Sequence, residues 1–307
     1  MTQLDLSIVT LSFNTSEITD NCLIKVKQAS DYCQKLLKNT VRAIVVDNGS
    51  SDSSVQTIKN KHPNVSLVEL SKNLGYSRGN NIGMALADTP FILLINSDTF
   101  LNKDTLYESL HFMKENPECS VMCCKSVDKN GQYWPDGGHL PTPRNTALWA
   151  LGLEYIPVIK NHLPKIYGYQ PKFYSQLGFP EWYPTCFFLI KKEVFITTGG
   201  FDDQLFLYME DVEWCQRIHQ AGYKIWYNPQ IQVTHLGGSS TKKLASLELL
   251  RQELTGIVHF QKKHYRNFWP ILRVVLTIGM CLRSLFYLLT GNFLKAGWYI
   301  KLLQTVK

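Results

Sequence analysis

The segment at 41–52, VRAIVVDNGSSD, decides how the chain folds. Four of its first six residues are Val or Ile, and the run ends abruptly in Asp47-Asn48-Gly49-Ser50-Ser51-Asp52. β-Branched residues suit a pleated strand, whereas Asn, Gly, Ser and Asp turn the chain. A strand this apolar, without polar alternation, belongs to a sheet covered on both faces. The design recurs on either side. Residues 6–13 (LSIVTLSF) stop at Asn14, residues 65–70 read VSLVEL, and residues 91–95 (FILLI) stop at Asn96-Ser97-Asp98. Helix-permissive stretches at 17–38, 53–61 and 78–86 lie between them. Strands alternating with helices predict βαβ units around a mostly parallel sheet. Ligands of such sheets bind beyond the carboxyl ends of the strands, where three of these four runs end in polar turns.

Downstream the pattern loosens. Pro135, Pro141, Pro143, Pro157, Pro164, Pro171, Pro180 and Pro184 forbid long regular elements between 133 and 184. A loop of that length is usually functional or disordered, and its many aromatics favour an ordered, functional one. Regularity returns with a strand at 185–190, a helix at 210–221 and a strand at 224–227.

The +7 charge is unevenly placed. Residues 242–307 hold 11 Lys and Arg against 2 acids, a net of +9, which leaves −2 for the first 241. The boundary expected from this shift divides an N-terminal unit, 1–241, from a basic amphipathic helical tail, 242–307. Residues 268–294 are very apolar but interrupted by Arg273 and Arg283, and the longest charge-free run, 284–294, is too short to span a bilayer. On a helical wheel Lys262, Lys263, Arg266, Arg273, Arg283, Lys295 and Lys301 fall within an arc of about 160°. Pro270 and Gly291-Asn292 break the tail into segments. A basic face opposite Trp, Phe and Leu predicts association with an anionic membrane surface; packing of the tail on protein is the alternative. Eight cysteines without zinc or paired spacing, and no signal-peptide pattern, predict a cytoplasmic protein, peripheral on the inner membrane face.

Four places carry candidate chemistry. Asp47 can accept the imino N–H of a pyrimidine base, or simply close a turn. Asp98 can coordinate Mg²⁺ or Mn²⁺, hard cations that bridge diphosphate oxygens, or cap the helix at 103–114. Met209-Glu210-Asp211-Val212-Glu213 sets three carboxylates at a helix start. The helix dipole alone accounts for acids there, yet one of them can serve as a general base. His235, in VTHLGG, follows a strand-like run and can ligate a metal.

Order and spacing join these places. LSIVTLSFN at 6–14, VVDNGSSD at 45–52, NLGYSRGNNIG at 73–83, LLINSDT at 93–99 and GGFDDQLFLYMEDVEWCQRIHQAGYKIWYNP at 199–229 resemble the inverting glycosyltransferases of family two. The resemblance covers roughly residues 5–240 and is nearest to bacterial rhamnosyltransferases of O-antigen and cell-wall polysaccharide assembly. It implies a GT-A fold, an α/β Rossmann-like sheet with flanking helices, in which residues 1–100 would hold the donor and 101–241 the acceptor. It also implies a nucleotide-sugar donor (dTDP- or UDP-linked), a divalent cation, and a saccharide or lipid-linked saccharide acceptor. Carried across, Thr10, Ser12 and Asn14 line the nucleotide pocket and Asp47 reads the base. Arg78 and Asn80 lie in the segment closing over the nucleotide, Asp98 holds the metal with His235, and Asp211 is the base. Trp182 and Glu210 are placed on the acceptor side. Asn96 departs from the pattern, since many relatives carry Asp there, and removes one charge from the metal site. L-Rhamnose is the expected sugar, with galactofuranose, glucose or N-acetylglucosamine next.

Rival classes fare worse. A Rossmann dehydrogenase requires GxGxxG after the first strand, and TLSFNTSE contains no glycine. A nucleic-acid-binding protein would need a reading motif that the basic tail lacks. A catalytically dead nucleotide-sugar sensor is disfavoured by the joint presence of Asp98, Asp211 and His235.

Overall fold

A computed structural model describes residues 4–158, 161–238 and 246–306. Strands β1 (Leu6–Ser12), β2 (Val41–Asp47), β3 (Ser66–Glu69) and β4 (Phe91–Asn96) alternate with helices α1 (Ser16–Leu37), α2 (Ser54–Lys61) and α3 (Tyr76–Ala85). There follow β5 (Thr99–Leu101), α4 (Thr105–Glu115), β6 (Val121–Val127), α5 (Pro143–Ala150), β7 (Phe187–Lys191), α6 (Lys192–Thr198), α7 (Glu210–Gln220) and β8 (Ile225–His235). The tail forms α8 (Ser246–His264), α9 (Trp269–Leu289) and α10 (Phe293–Leu302).

The strands make one eight-stranded sheet in the order β3-β2-β1-β4-β7-β6-β8-β5. β1 to β4 are mutually parallel and β6 runs parallel to β8. β7 runs against both neighbours, and β5 runs against β8, so the sheet is mixed. Period-two alternation explains its burial. On β4, Ile92 and Leu94 join the core shared with α7 and α8, whereas Phe91, Leu93 and Ile95 face the core shared with α1 and α4. β6, which the sequence pattern did not announce, obeys the same rule with Val121 and Cys123 on one face and Met122 and Cys124 on the other. Its adjacent cysteines are inert filler. Burial pushes both thiols well above their ordinary pKa.

The expected boundary at 241/242 lies outside the described residues. Beyond it, α8 packs directly on the catalytic core. Ile257 and Phe260 are buried there, and a Cβ on Gly256 would come within 2.6 Å of the Met209 side chain. Glu213 of α7, fully buried, is bound by Arg217 on its own helix and by Lys263 (2.7 Å) and His264 (3.0 Å) of α8.

α9 lies against α5. Leu276 and Met280 join Ala150 in a separate core, and Gly279 allows a close approach that a Cβ would block, 2.3 Å from the Ala150 carbonyl oxygen. The chain breaks where expected, Pro270 entering the first turn of α9 and Gly291 taking φ +76° after it. The common cationic arc is not kept. Lys263 is paired with Asp202 and Glu213, and the Arg283 guanidinium donates to the carbonyls of Trp149 and Ala150. Each helix break resets the angular phase, and both cations find internal partners. The outward side of α9 is instead apolar, with Ile271, Val274, Ile278, Leu282, Leu285 and Leu289 exposed at three- and four-residue spacing. Arg266–Leu289 is long and apolar enough to cross a membrane by length and composition, its most apolar 18-residue window having a mean hydropathy of 1.7.

Candidate functional site

The parallel strands bring their carboxyl ends to one edge, and β7, running the other way, starts there. The Asn96 amide N–H donates to the Cys186 carbonyl at 3.3 Å. β8 reaches the same edge through β5, because Thr99 pairs with His235 in antiparallel register. Two residues far apart in sequence therefore meet. Nε2 of His235 lies 3.3 Å from Oδ1 of Asp98, and the Leu236 N–H donates to the Asp98 carbonyl at 3.0 Å.

A cavity of about 420 Å³ opens over this edge, lined by Asn48, Asn73, Tyr76, Asn96, Asp98, Thr185, Cys186, Tyr208, Glu210, Asp211 and His235 among others. A larger depression of about 930 Å³ lies at the opposite edge, by Leu4 and Phe91 at the strand starts, away from these groups. Asp98, His235, Glu210 and Asp211 thus share one chamber.

The turn that aims α7 into this chamber is strained. Tyr208 and Met209 both take positive φ, 66° and 70°, which costs on the order of 1–3 kcal/mol each in a non-glycine residue. The Asp211 carboxylate accepts from the Val212 N–H at 2.8 Å, and Glu210 keeps one buried oxygen without a partner. Burial raises the pKa of both acids, and the Asp211 charge raises Glu210 further. Asp211, pushed up to about 7, is a stronger base than an exposed carboxylate and still ionises near neutral pH. Burial disfavours charge on His235, but Cys186 and Asp98 beside it outweigh this and push it up to about 11. A bound cation would displace that proton.

The remaining predicted residues take varied places. Asp47 is buried, with one carboxylate oxygen accepting from the Ser50 N–H at 2.8 Å and the other without a partner. It closes the turn and keeps one acceptor. Asn14, at φ 53°, accepts from the Ser51 N–H at 2.8 Å and so ties the β1 and β2 loops together. Thr10 and Ser12 do not line the cavity. Thr10 is buried mid-strand, Ser12 Oγ lies 3.1 Å from Thr19 of α1, and the lining residues are Leu11 and Phe13 on the other face. Asn80 is also turned away, donating within α3 to the Tyr76 carbonyl, and exposed Arg78 donates to the Asp203 carbonyl at 3.2 Å. Trp182 is 7% exposed and its indole N–H is spent on the Ile166 carbonyl, which makes it a core residue.

Tyr76 and Asn48, which line the cavity, and Asp136, which stands outside its lining, escaped the sequence reading. Tyr76 donates its hydroxyl to Asn96 Oδ1 at 2.7 Å and sits 3.1 Å from the Thr185 hydroxyl. Asn48 braces the loop before α3, donating to Asn73 and accepting from the Leu74 N–H. Asp136, from the proline-rich loop, reaches Cys186 and His235 with its ligand atoms within 4.8 Å of both. Its neighbours Pro135, Gly137 and Gly138 mark it as a turn, and no local pattern points to a site 99 residues away.

A mixed sheet whose carboxyl edge gathers an Asp–His pair and buried acids at a helix start is the layout of a GT-A glycosyltransferase. The chain belongs to glycosyl transferase family 2, whose model matches residues 7–214. It is 24% identical over 256 residues, 80% of this chain and 82% of the other, to the N-acetylglucosaminyl-diphospho-decaprenol L-rhamnosyltransferase of Mycobacterium tuberculosis. It is 25% identical over 221 residues to rhamnosyltransferase WbbL of Escherichia coli, covering 67% and 78% of the two chains. The mannosyltransferase PcManGT from Pyrobaculum calidifontis, solved with GDP-Man and Mn²⁺, shares the fold with a TM-score of 0.57 and 14% identity. The match covers 98% of this chain and 88% of that one.

Proposed function

We propose that this glycosyltransferase moves a sugar, L-rhamnose from dTDP-rhamnose, onto a polyprenyl-diphosphate-linked saccharide by a single inverting displacement. The observation carrying this reading is the presence, within one cavity, of the Asp98–His235 pair and the buried Glu210–Asp211 acids. Asp98 and His235 offer oxygen and nitrogen donors that fit Mg²⁺ or Mn²⁺. When bound, such a cation offsets charge on the departing diphosphate. Asp211 takes the proton of the acceptor hydroxyl as that oxygen bonds to the anomeric carbon from the face opposite the leaving group. The anomeric C–O bond breaks, its electron pair leaves with the nucleoside diphosphate, and the configuration inverts. No enzyme nucleophile is required. Asp47, with a free buried acceptor, suits the imino N–H of thymine or uracil. The lipid-linked acceptor of the M. tuberculosis relative supports a similar acceptor here and work at the cytoplasmic face of a membrane.

α9 gives that location a physical basis. Its inner face is occupied by α5, and the exposed stripe from Ile271 to Leu289 suits burial in the headgroup–acyl boundary. Arg266, Arg273, Lys295 and Lys301 remain exposed for anionic headgroups. The test of the catalytic reading is a donor screen, dTDP-rhamnose against UDP-galactofuranose, UDP-glucose and UDP-N-acetylglucosamine, read by nucleoside diphosphate release. Release from dTDP-rhamnose is expected to dominate. Preferential release of UDP would reassign the sugar, and no release from any donor would favour a binding protein.

A further inference from the structure

A cation held by Asp98 and His235 alone would face only one protein charge, since Asn96 is neutral. A second carboxylate stands beside His235. Asp136 projects from the loop after β6, and its ligand atom lies within 4.8 Å of those of His235 and Cys186. Its Oδ2 is buried and has no hydrogen-bond partner. Burial raises the Asp136 pKa even though His235 and a Ser126 hydrogen bond act in the opposite sense, and a buried oxygen without its own partner costs about 1–3 kcal/mol, which a bound cation would reduce.

The loop is built to hold this arrangement. The Trp134 indole donates to the His235 carbonyl at 3.0 Å, the Asp136 N–H donates to the Trp134 carbonyl at 2.8 Å, and the Tyr174 hydroxyl donates to the Asp136 carbonyl at 2.7 Å. Gly137 follows at φ +76°, and a Cβ on Gly138 would come within 1.9 Å of the Ile166 carbonyl oxygen. Neither position accepts a side chain, so the backbone that carries Asp136 has little freedom to turn it away.

We infer that Asp136 belongs to the divalent-cation site, supplying from the proline-rich loop the negative charge that Asn96 does not. This rests on the metal-dependent reading above. It also gives the loop at 133–184 a role on the donor side, because Trp134 and Asp136 tie it to the end of β8. The Cys186 thiol, adjacent but soft, is not needed for a hard cation.

The test measures Mn²⁺ binding to the full-length protein by electron paramagnetic resonance of the free ion, with and without dTDP. Asp136→Asn is expected to weaken binding by about 10- to 100-fold, and Cys186→Ser to leave it within about 3-fold, under half of the roughly 1.4 kcal/mol that a tenfold change represents. Adding Asn96→Asp to Asp136→Asn is expected to restore most of the affinity, because it returns one carboxylate to the same edge. The metal-free melting temperature of Asp136→Asn is expected to hold or rise, since a buried charge has been removed. Unchanged affinity in Asp136→Asn beside a wild type that binds would overturn this inference alone. A lowered melting temperature with no rescue by Asn96→Asp would make Asp136 a folding residue and overturn it too. Absence of Mn²⁺ binding by the wild type would overturn the metal-dependent reading and this inference with it.

Discussion

Replacing Glu213 by Gln tests the joint between the catalytic helix α7 and the tail helix α8. Glu213 is fully buried, and its carboxylate accepts from Arg217 at 2.7–3.0 Å, from Lys263 at 2.7 Å and from His264 at 3.0 Å. Burial alone would raise its pKa, but hydrogen bonds from His264, Arg217 and Lys263 outweigh this and hold it at about 2, against an ordinary value of 4.5. At about 1.36 kcal/mol for each pH unit between these values, the ionised form contributes roughly 3 kcal/mol. Breaking one side of a buried ion pair costs about the same, 3–5 kcal/mol. With an unfolding entropy of about 2.1 cal/mol/K per residue, roughly 3 kcal/mol lowers the melting temperature of a 307-residue chain by roughly 5 °C. The pH dependence follows from the sign. The folded-state pKa is depressed, so the contribution is complete above about pH 4.5 and is lost as pH falls towards about 2. Calorimetry of both proteins from pH 7 to pH 3 is therefore expected to show a gap that narrows below pH 4.5. A Gln variant melting within about 1 °C of wild type at pH 7, or a gap of constant size across that range, would refute the clamp.

Other outcomes follow from the site and the tail. Asp211→Asn is expected to lower turnover by roughly 10²-fold or more with nucleotide affinity unchanged; near-normal turnover would pass the role to Glu210. Because burial raises the Asp211 pKa and a base must be ionised, the acid limb of kcat in the wild type is expected above the ordinary carboxylate range. A limb near pH 4 would contradict that assignment. Chelation with EDTA is expected to abolish diphosphate release, with Mg²⁺ or Mn²⁺ restoring it, and full activity in rigorously chelated protein would end the metal claim. The paired change Leu282→Asp and Leu285→Asp on the exposed side of α9 is expected to release the protein from anionic liposomes while sparing activity on a short soluble acceptor. Retention on liposomes would mean that the stripe is not the contact. Deletion from Phe268 is a poorer test, since it also uncovers the face of α5 that Leu276 and Met280 bury.

Much of the site was legible because its signals are local. An apolar run that ends in Asp-Asn-Gly or Asn-Ser-Asp places a turn, and the α/β alternation places that turn at the ligand-binding edge. Asp47, Asp98 and Asp211 stood out as candidates from a dozen residues each, and the fold brings Asp98 and Asp211, but not Asp47, to the cavity wall. Sequence also located the breaks of the tail helices, which Pro and Gly dictate without tertiary help. Which face of β1 meets the cavity was another matter. Alternation separates Thr10 and Ser12 from Leu11 and Phe13, but only the packing of α1 against Ser12 decides which pair turns inward. His235 reaches Asp98 because β5 pairs with β8 across 136 residues of chain. Asp136 reaches His235 because a loop without periodicity is pinned by Trp134, Tyr174 and two glycines. The tail shows the same division. Composition made it basic and apolar, whereas the internal partners of Lys263 and Arg283 left an apolar, not a cationic, stripe outermost. Turns and helix ends follow from the φ/ψ preferences of neighbouring residues. Long-range meetings depend on strand register and on which of several faces buries the most surface, and those choices are made only when the whole chain packs.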